Sequence, residues 1–527
     1  MTRLERWVER RSWWLAVGLA ALFLGQALAG NQLKSLTFDE PSFIGAGYAV
    51  ARWGDYEVFP QNPPLPQVLA AGAVLLSPSD QDPGPHDGNW HEGTSPVRLG
   101  VALTHLSGRR PFSTAFWARL PNILLGAFLV LLVFGWGRQL FGAVPALLAA
   151  ALVAFSPNVL AHAKVATADV GCALGMLAAV AAFERTRRRP HPLAWLGCGA
   201  LTGTALLMKY SALLLGPIFV LIGVLEVALR RRALKTLTLG AIVVVTMSAG
   251  LIWLAYLHDA NPQWGIVSYF SRLGTLYSDH RALYYYYLLG EASAETFWYY
   301  YFAALLIKVP AGTLVLLGVA IATLAAHPDR ARLLLYLGIP AGAVLLAACF
   351  DAANVGVRRV LPALPFLFLL AASAYRSSGW RKILPVLLVA LSAAASAAQF
   401  PHHLSFINYG FGGPARGPYL LDDSNVDWGQ DLPALVAWQL ERPPEETLKF
   451  RYYGTALPQN WGLRTASITS EEIDRPGPGV YAVSTHLLVY FRKLGRRDWL
   501  AEFEPVARAG RSIYIYRFDE QASPRAN

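Results

Sequence analysis

An acidic pair, Asp39-Glu40, lies near the start of a stretch rich in aromatic, glycine and proline residues that runs from Thr37 to Pro66. The pair follows closely on the first apolar run of the chain, so we expect it to lie just outside a membrane. A carboxylate can act as a general base, and amphipathic aromatic side chains favour the boundary between lipid and water. The stretch therefore suits chemistry on a substrate that is part lipid and part polar, although an ordinary solvated loop can also carry an acidic pair.

Charged residues recur in short turns between later apolar runs. The turn that precedes Asp169 also carries His162 and Lys164, and Lys209 lies in a turn that has almost no loop. Further basic residues that precede apolar stretches are Lys308, Arg358 and Arg359. If the apolar runs cross a membrane, all of these groups reach one face of it, where residues distant in sequence can form one site.

Each of these residues also has a purely structural interpretation. Asp169 can cap the start of a helix, where a negative charge is favoured, and lysine or arginine side chains near a bilayer can extend towards lipid headgroups. However, basic residues are expected to be scarce on the outer side of a membrane protein. A bound phosphate group would account for their presence there.

The composition indicates a helical membrane protein. Of the 527 residues, 54% are hydrophobic and only 15% are charged, whereas soluble domains carry about 25% charged residues. Apolar runs near the length that spans a bilayer predict about eleven transmembrane helices, at 12–30, 117–137, 144–160, 169–183, 194–208, 211–229, 236–256, 297–326, 333–350, 360–375 and 383–399. The run at 297–326 is too long for one simple crossing, so we expect a surface helix that turns into the membrane at Pro310.

The basic residues predict the orientation of the chain. They concentrate in alternate segments, at 3–11, 185–189, 230–235, 330–332 and 376–382, whereas the opposite turns hold few. Basic residues favour the cytoplasmic side, so we expect a multi-pass protein of the cell (inner) membrane with a cytoplasmic N-terminus. An uncleaved first helix is favoured over a signal peptide because the run is long. The same clustering explains the net charge of +11, so no nucleic-acid partner is predicted.

Two regions are predicted from the change in composition along the chain. Residues 1–399 form an all-α transmembrane domain that includes a first outer loop at 31–116. Within this loop we expect a surface helix at 66–76 and a polar stretch at 77–95. An odd number of crossings places residues 400–527 outside the membrane as a small α/β domain. Alternating patterns there predict strands at 448–453, 480–484 and 512–518, and a helix at 433–440.

A carboxylate and several cations at the outer face together indicate transfer of a sugar from a polyprenyl-phosphate carrier. The carboxylate would deprotonate a hydroxyl of the acceptor, and the cations would hold the phosphate. Because the leaving phosphate is stable as an anion, it needs charge stabilisation more than a general acid. One in-line displacement would invert the configuration of the anomeric carbon, by analogy with single-displacement glycosidases.

A family resemblance is carried, in this order, by TFDEPSFIGAGYAVARWGDYEVFPQNPPL, KVATADVGCALG, GTALLMKYSALLLGP, YYYFAALLIKVPAGTLVLL, NVGVRRVLPALPFLFLL and HHLSFINYGFGGPARGPYLLDDSNVDWGQDL. The chain resembles the bacterial branch of the protein O-mannosyltransferase and aminoarabinose-transferase superfamily, which are membrane glycosyltransferases of the GT-C fold. The resemblance implies that the catalytic acidic residue is Asp39, within its pair with Glu40, and that Asp169 is a second acidic site residue. It places the groups that bind the donor phosphate at Lys209, Lys308, Arg358 and Arg359.

The acceptor stays open between protein, lipid and glycan. Eukaryotic protein mannosyltransferases carry a large extra domain in a central outer loop, and the loop at 257–296 is too short for one. A transporter or flippase for a lipid-linked sugar is the alternative function. It would place ionisable residues near the middle of the membrane, where the predicted helices have almost none. A non-catalytic scaffold would leave the charges of the outer face without a role.

No cofactor is required by the sequence. His162, Asp169 and Glu40 could contribute to a divalent-metal site, but nothing demands one, and no metal ligands are predicted. An acidic run between 422 and 431 lacks the regular spacing and closing glutamate of a calcium loop. We therefore expect a structural or acceptor-contacting role for its members, Asp422, Asp423, Asp427 and Asp431.

Overall fold

The computed structural model describes residues 3–76, 95–106, 111–259, 265–278, 285–351, 353–376 and 379–519. Nearly all of the polar stretch expected at 77–95 lies outside these residues. Within them, the chain forms a large helical part up to Ala397 and a C-terminal part that contains a small sheet. This confirms the predicted fold class, a mostly helical membrane protein with a small C-terminal α/β region.

The helical part contains long apolar helices and several short ones. They are α1 (Arg3–Asn31), α2 (Glu40–Trp53), α3 (Pro64–Leu75), α4 (Pro96–Val101), α5 (Pro111–Phe141), α6 (Ala143–Ala154), α7 (Pro157–Ala163), α8 (Asp169–Arg188), α9 (Pro192–Met208), α10 (Leu215–Ala228), α11 (Leu234–Ala255), α12 (Gly265–Ser278), α13 (Tyr300–Lys308), α14 (Ala311–Ala322), α15 (Arg330–Leu333), α16 (Ile339–Ala348), α17 (Leu364–Ala372) and α18 (Trp380–Ala397). The surface helix expected at 66–76 corresponds to α3.

Every apolar run of the sequence lies on one or more of these helices. Among the described residues, six helices are by themselves long and apolar enough to cross a membrane, and two bent helix pairs raise this number to eight. The other predicted spans, α8, α9 and α17, are shorter or carry more charge. Length and composition thus support six to eight crossings in the described part of the chain, fewer than the number expected from the apolar runs.

A sharp bend separates α13 from α14. The two helices are inclined by 118° across Val309 and Pro310. A residue before proline disfavours the helical conformation, and Val309 is accordingly extended, with φ −99° and ψ 134°. The predicted turn at Pro310 is therefore confirmed.

Helix α2, which begins directly after Asp39, packs against its neighbours through glycines. A Cβ on Gly47 would lie only 2.0 Å from the backbone oxygen of Gln67 in α3. In α4, a Cβ on Gly100 would lie 1.8 Å from the backbone oxygen of Pro41. No other residue type fits at such short backbone approaches, so the glycines fix the position of α2 and of the acidic residue at its start.

The C-terminal part contains a mixed five-stranded sheet in the order β4-β3-β5-β7-β6. The strands are β3 (Leu448–Arg451), β4 (Thr465–Ser467), β5 (Gly479–Ser484), β6 (Ala507–Ala509) and β7 (Ile513–Phe518), after a separate hairpin of β1 (Tyr286–Leu288) and β2 (Glu291–Ser293). Strand β3 is parallel to β4 and β5, whereas β7 is antiparallel to β5 and β6. The helices of this part are α19 (Gly417–Leu420), α20 (Leu432–Leu440), α21 (Ser470–Asp474), α22 (Thr485–Lys493) and α23 (Trp499–Glu502). The predicted strands and helix match β3, β5, β7 and α20.

Replacing Gly47 by alanine should destabilise the protein. The new Cβ meets backbone rather than a flexible side chain, so α2 and α3 must separate, at a cost of about 1–3 kcal/mol. Thermal unfolding of the purified protein in detergent measures the effect. Gly72→Ala is the matched control in α3, because a Cβ on Gly72 meets nothing within 4 Å. Equal melting temperatures for the two variants would contradict the close packing of α2.

Candidate active site

The loop that leads to Asp39 is attached to the C-terminal part of the chain by backbone hydrogen bonds. The N–H of Ser35 donates to the carbonyl oxygen of Gln430 at 3.1 Å, and the N–H of Phe38 donates to that of Trp428 at 2.9 Å. Asp39 then precedes the first residue of α2. The side chain of Asp39 is 28% exposed, so the loop presents a carboxylate that solvent or a substrate can reach.

Glu40, the neighbour of Asp39, is completely buried in an ion pair with Arg119 of α5. Both side chains are 0% exposed, and Arg119 Nε lies 2.7 Å from Glu40 Oε1 and Nη2 lies 2.7 Å from Oε2. The same carboxylate accepts the backbone N–H of Ala166 at 2.8 Å and the backbone N–H of Thr37 at 2.6 Å. Arg119 also donates to the carbonyl oxygen of Ser35 at 2.6 Å. Glu40 therefore joins α2, α5 and the turn before α8, and it does not line the cavity described next.

A cavity of about 810 Å³ lies between the helical part and the C-terminal part. Five of the charged residues selected from the sequence line it: Asp39, Asp169, Lys209, Arg358 and Arg359. These residues come from the loop before α2, from α8, from the turn between α9 and α10, and from the segment before α17. Residues that are far apart in the chain thus share one site, as the sequence predicted they would.

Two ion pairs organise the charges of this cavity. Arg358 Nη1 lies 2.7 Å from Asp39 Oδ2, and the guanidinium group lies 4.2 Å from the centre of the Trp428 ring. Lys209 Nζ lies 2.5 Å from Asp169 Oδ1, and Thr167 Oγ1 donates to Asp169 Oδ2 at 3.1 Å. Each basic group is therefore held in place by a carboxylate.

Arg359 and Lys308 have different surroundings. Arg359 lines the cavity, and its Nη1 lies 3.7 Å from Asp351 Oδ2. Lys308 is 1% exposed, and its Nζ donates to the carbonyl oxygens of Leu404 at 2.6 Å and Asn425 at 2.5 Å. The structure thus places Lys308 outside the cavity, where it attaches the end of α13 to the C-terminal segment.

Comparison with known proteins was made for both sequence and fold. A family model described as dolichyl-phosphate-mannose-protein mannosyltransferase matches residues 106–253. No curated protein matches the chain significantly. The apo structure of ArnT from Cupriavidus metallidurans matches with 14% identity and a TM-score of 0.51, over 95% of this chain and 97% of that one. The same protein bound to undecaprenyl phosphate matches with 15% identity and a TM-score of 0.49, over the same shares. The apo oligosaccharyltransferase of Archaeoglobus fulgidus matches with 13% identity and a TM-score of 0.51, over 75% of this chain and 57% of that one.

The chain therefore has the GT-C fold, and residues 106–253 are similar to the dolichyl-phosphate-mannose-protein mannosyltransferase family. Its apolar helices indicate a multi-pass membrane protein. The cavity at the junction of the helical and C-terminal parts is the candidate active site. It combines exposed acidic oxygens with cations, which suits a substrate that carries both hydroxyl and phosphate groups.

The C-terminal part of the chain contributes cavity residues that sequence reasoning largely missed. Trp428, Tyr453 and His486 all line the cavity, as does Asp423 from the acidic run. Asp423 has a φ of 56°, a left-handed conformation that is uncommon outside glycine. The acidic run had suggested an acceptor-contacting role, whereas nothing in the local sequence marked Tyr453 or His486.

The other members of the acidic run make separate internal contacts. Asp422 Oδ1 lies 2.9 Å from His486 Nδ1, and Asp422 Oδ2 lies 2.7 Å from Lys493 Nζ. Asp431 accepts bonds from Ser512 and forms an ion pair with Lys34. Because these carboxylates have different partners, they do not form a common ligand set. Among the described residues, no group of three or more His, Cys, Asp or Glu side chains could hold a metal ion.

Burial and charge shift the pKa values of these groups of the C-terminal part in different directions. Burial raises the pKa of Asp427 to about 6, although backbone N–H groups of His486 and Gly429 oppose the rise. Burial also raises the pKa of Asp422, but His486 and Lys493 more than offset it, so that pKa lies below its usual value. For His486, burial lowers the pKa, and the carboxylates of Asp422 and Asp423 reverse the shift. His486 therefore favours its charged form.

Replacement of Glu40 by glutamine should unfold or severely destabilise the protein. It leaves the fully buried guanidinium of Arg119 without a counter-charge, which typically costs about 3–5 kcal/mol. Thermal unfolding in detergent measures the loss. Asp39→Asn is the matched control, because the same chemical change at the neighbouring exposed residue breaks a less buried pair. A Glu40→Gln protein as stable as Asp39→Asn would show that the ion pair is not needed for folding.

Proposed function

We propose that this transferase moves a sugar from a polyprenyl-phosphate carrier to a hydroxyl group of an acceptor, with Asp39 as the base and with inversion at the anomeric carbon. The observation that carries the proposal is the convergence of Asp39, Lys209, Arg358 and Arg359 on one cavity. The family model, which describes dolichyl-phosphate-mannose enzymes, supports a lipid-linked phosphate donor. The proposal covers hexosyl or pentosyl transfer to protein, lipid or glycan.

Asp39 is the carboxylate best suited to act as base. Arg358 engages Oδ2, and within the described residues no side chain donates to Oδ1. That second oxygen can accept the proton of an acceptor hydroxyl while the arginine keeps the side chain oriented. Asp169 has both oxygens engaged, by Lys209 and Thr167, and is 2% exposed. We therefore assign Asp169 to positioning Lys209 rather than to proton transfer.

Three cations form the proposed clamp for the donor phosphate: Lys209, Arg358 and Arg359. Lys209 has three N–H donors, and Asp169 occupies one of them. Arg358 contacts the base, so a phosphate held by the same guanidinium would lie next to the reacting hydroxyl. Stabilisation of the leaving phosphate in a partly dehydrated cavity is a large catalytic effect. Glu40 and Lys308 are assigned to the framework of the site because both are buried and engaged elsewhere.

The reaction is proposed to occur on the extracytoplasmic side of the cell membrane, with the N-terminus in the cytoplasm. The support is the concentration of basic residues in alternate segments, for example at 185–189 and 230–235. The C-terminal part then lies outside, and a carrier embedded in the bilayer reaches the cavity from the membrane helices. Inversion follows because one base and one displacement leave no covalent intermediate.

The variant Asp39→Asn should lose transfer and keep its fold. Removal of a general base typically lowers the rate by about 10²–10⁴-fold, and asparagine preserves the size of the side chain. The measurement is the rate of glycosylated product formation, by mass spectrometry, in membrane vesicles from a deletion strain that expresses the variant. Asp55→Asn, the same change in the same outer stretch, should retain activity. Wild-type rates for Asp39→Asn would exclude it as the base.

The variant Lys209→Met should weaken binding of the carrier phosphate. Loss of one charge-assisted contact is expected to lower affinity by roughly 10-fold or more. The probe is undecaprenyl phosphate, titrated against the purified protein in detergent. Lys235→Met removes an exposed lysine of α11 and should leave the affinity unchanged. Equal affinities for both variants would remove Lys209 from the clamp.

A further inference from the structure

The C-terminal part of the transferase inserts a histidine into the wall of the cavity. His486 lies in the first turn of α22, directly after β5, and lines the same cavity as Asp39. It is 8% exposed. The proposed function gives this residue no role, and its surroundings show how firmly it is held.

Three contacts hold His486 in place. Its Nδ1 lies 2.9 Å from Asp422 Oδ1, and its backbone N–H donates to Asp427 Oδ2 at 3.0 Å. Its ring lies against the ring of Tyr453, tilted by 32° and 3.9 Å away from centre to centre, and the Tyr453 ring in turn stacks on Phe38 at 4.8 Å. Phe38 immediately precedes Asp39 in the chain, so the Tyr453 ring connects the imidazole to the loop that carries the proposed base.

These contacts leave one ring atom for a substrate. Lys493 donates to the other oxygen of Asp422 at 2.7 Å, and the carboxylates of Asp422 and Asp423 raise the pKa of His486, which favours the imidazolium form with a proton on both ring nitrogens. Within the described residues, Nε2 of His486 has no hydrogen-bond partner. Because His486 lines the cavity, this ring nitrogen is available to a bound substrate.

The position of His486 indicates which substrate it contacts. Lys209 lies between α9 and α10, on the side formed by membrane helices, whereas His486 belongs to the part of the chain beyond the last of those helices. Asp423, which lines the same cavity, interacts electrostatically with both His486 and Arg358, the partner of Asp39. A carrier that stays in the bilayer occupies the Lys209 side, and a second substrate occupies the side of His486.

We propose that His486 is an acceptor-binding catalytic residue, whose Nε2–H donates a hydrogen bond to an oxygen of the hydroxyl-bearing acceptor. The inference rests on the proposed function. In the reaction, Asp39 takes the proton of the attacking hydroxyl, a bond forms from its oxygen to the anomeric carbon, and the bond from that carbon to the carrier phosphate breaks with its electron pair on the phosphate. His486 keeps its proton throughout and orients the acceptor.

Two amide variants separate this role from a structural one. Glutamine in His486→Gln keeps an N–H donor near the position of Nε2, whereas asparagine in His486→Asn keeps a donor near Nδ1 for Asp422 and lacks one in the cavity. We expect product formation in membrane vesicles to fall roughly 10- to 100-fold for His486→Asn and clearly less for His486→Gln. Affinity for undecaprenyl phosphate should be unchanged in both. His191→Asn, at the start of α9, is the control for a histidine outside the site.

Each other outcome overturns the inference. Wild-type rates in both variants would mean that Nε2 contacts no substrate. A greater loss in His486→Gln than in His486→Asn would mean that the bond to Asp422 matters and the cavity donor does not. Weaker binding of undecaprenyl phosphate would make His486 a phosphate ligand. Failure of the proposed function gives a different result: the wild-type protein would neither bind undecaprenyl phosphate nor form a product that depends on Asp39. The inference about His486 would then be wrong as well.

Discussion

The buried pair of Glu40 and Arg119 is the interaction on which the geometry of the site depends. Its two charges are removed from water, and each is compensated by the other and by the surrounding backbone groups. The carboxylate accepts N–H groups from the loop before α2 and from the turn before α8, and the guanidinium binds carbonyl oxygens of the same loop. One ion pair thus sets the distance between the segments that carry Asp39 and Asp169. Both side chains are fully buried outside the cavity, so this support does not occupy any group that lines the cavity.

The described basic residues that line the cavity each lie close to a carboxylate. Arg358 is paired with Asp39, Lys209 with Asp169, and Arg359 lies near Asp351. Paired in this way, several cations can be held close together in a site with little water, where isolated like charges would repel strongly. Under the proposed function, a phosphate that enters the cavity would meet donors that are already oriented, which would lower the cost of reorganisation during the reaction.

The sequence predicted which charged residues meet, because the ends of apolar runs can only lie at a membrane face. Asp169, Lys209, Arg358 and Arg359 were found in this way, together with Asp39, and the bend at Pro310 followed from the chemistry of proline. The roles of Asp39 and Glu40 could not be separated from the sequence, because the two neighbouring carboxylates have the same local sequence context. They differ only in their distant partners, which are Arg358 for Asp39 and Arg119 for Glu40. Lys308 was expected among the phosphate-binding residues. The sequence could not show that it is buried, because its acceptors, Leu404 and Asn425, lie about a hundred residues further along the chain. Tyr453 and His486 were missed for the same reason, because contacts between rings that are distant in the chain leave no pattern in the local sequence.

The change in composition near residue 400 marks the end of the apolar helices, but residues on the two sides of this point pack against each other. Lys308 finds both of its described acceptors on the far side of that point, Lys34 pairs with Asp431, and the backbone before Asp39 is bonded to Gln430 and Trp428. Deletion of the C-terminal segment would therefore leave the buried Lys308 side chain without these acceptors and free the loop before Asp39. A fragment cut at the junction, from either side, would carry only part of the cavity lining.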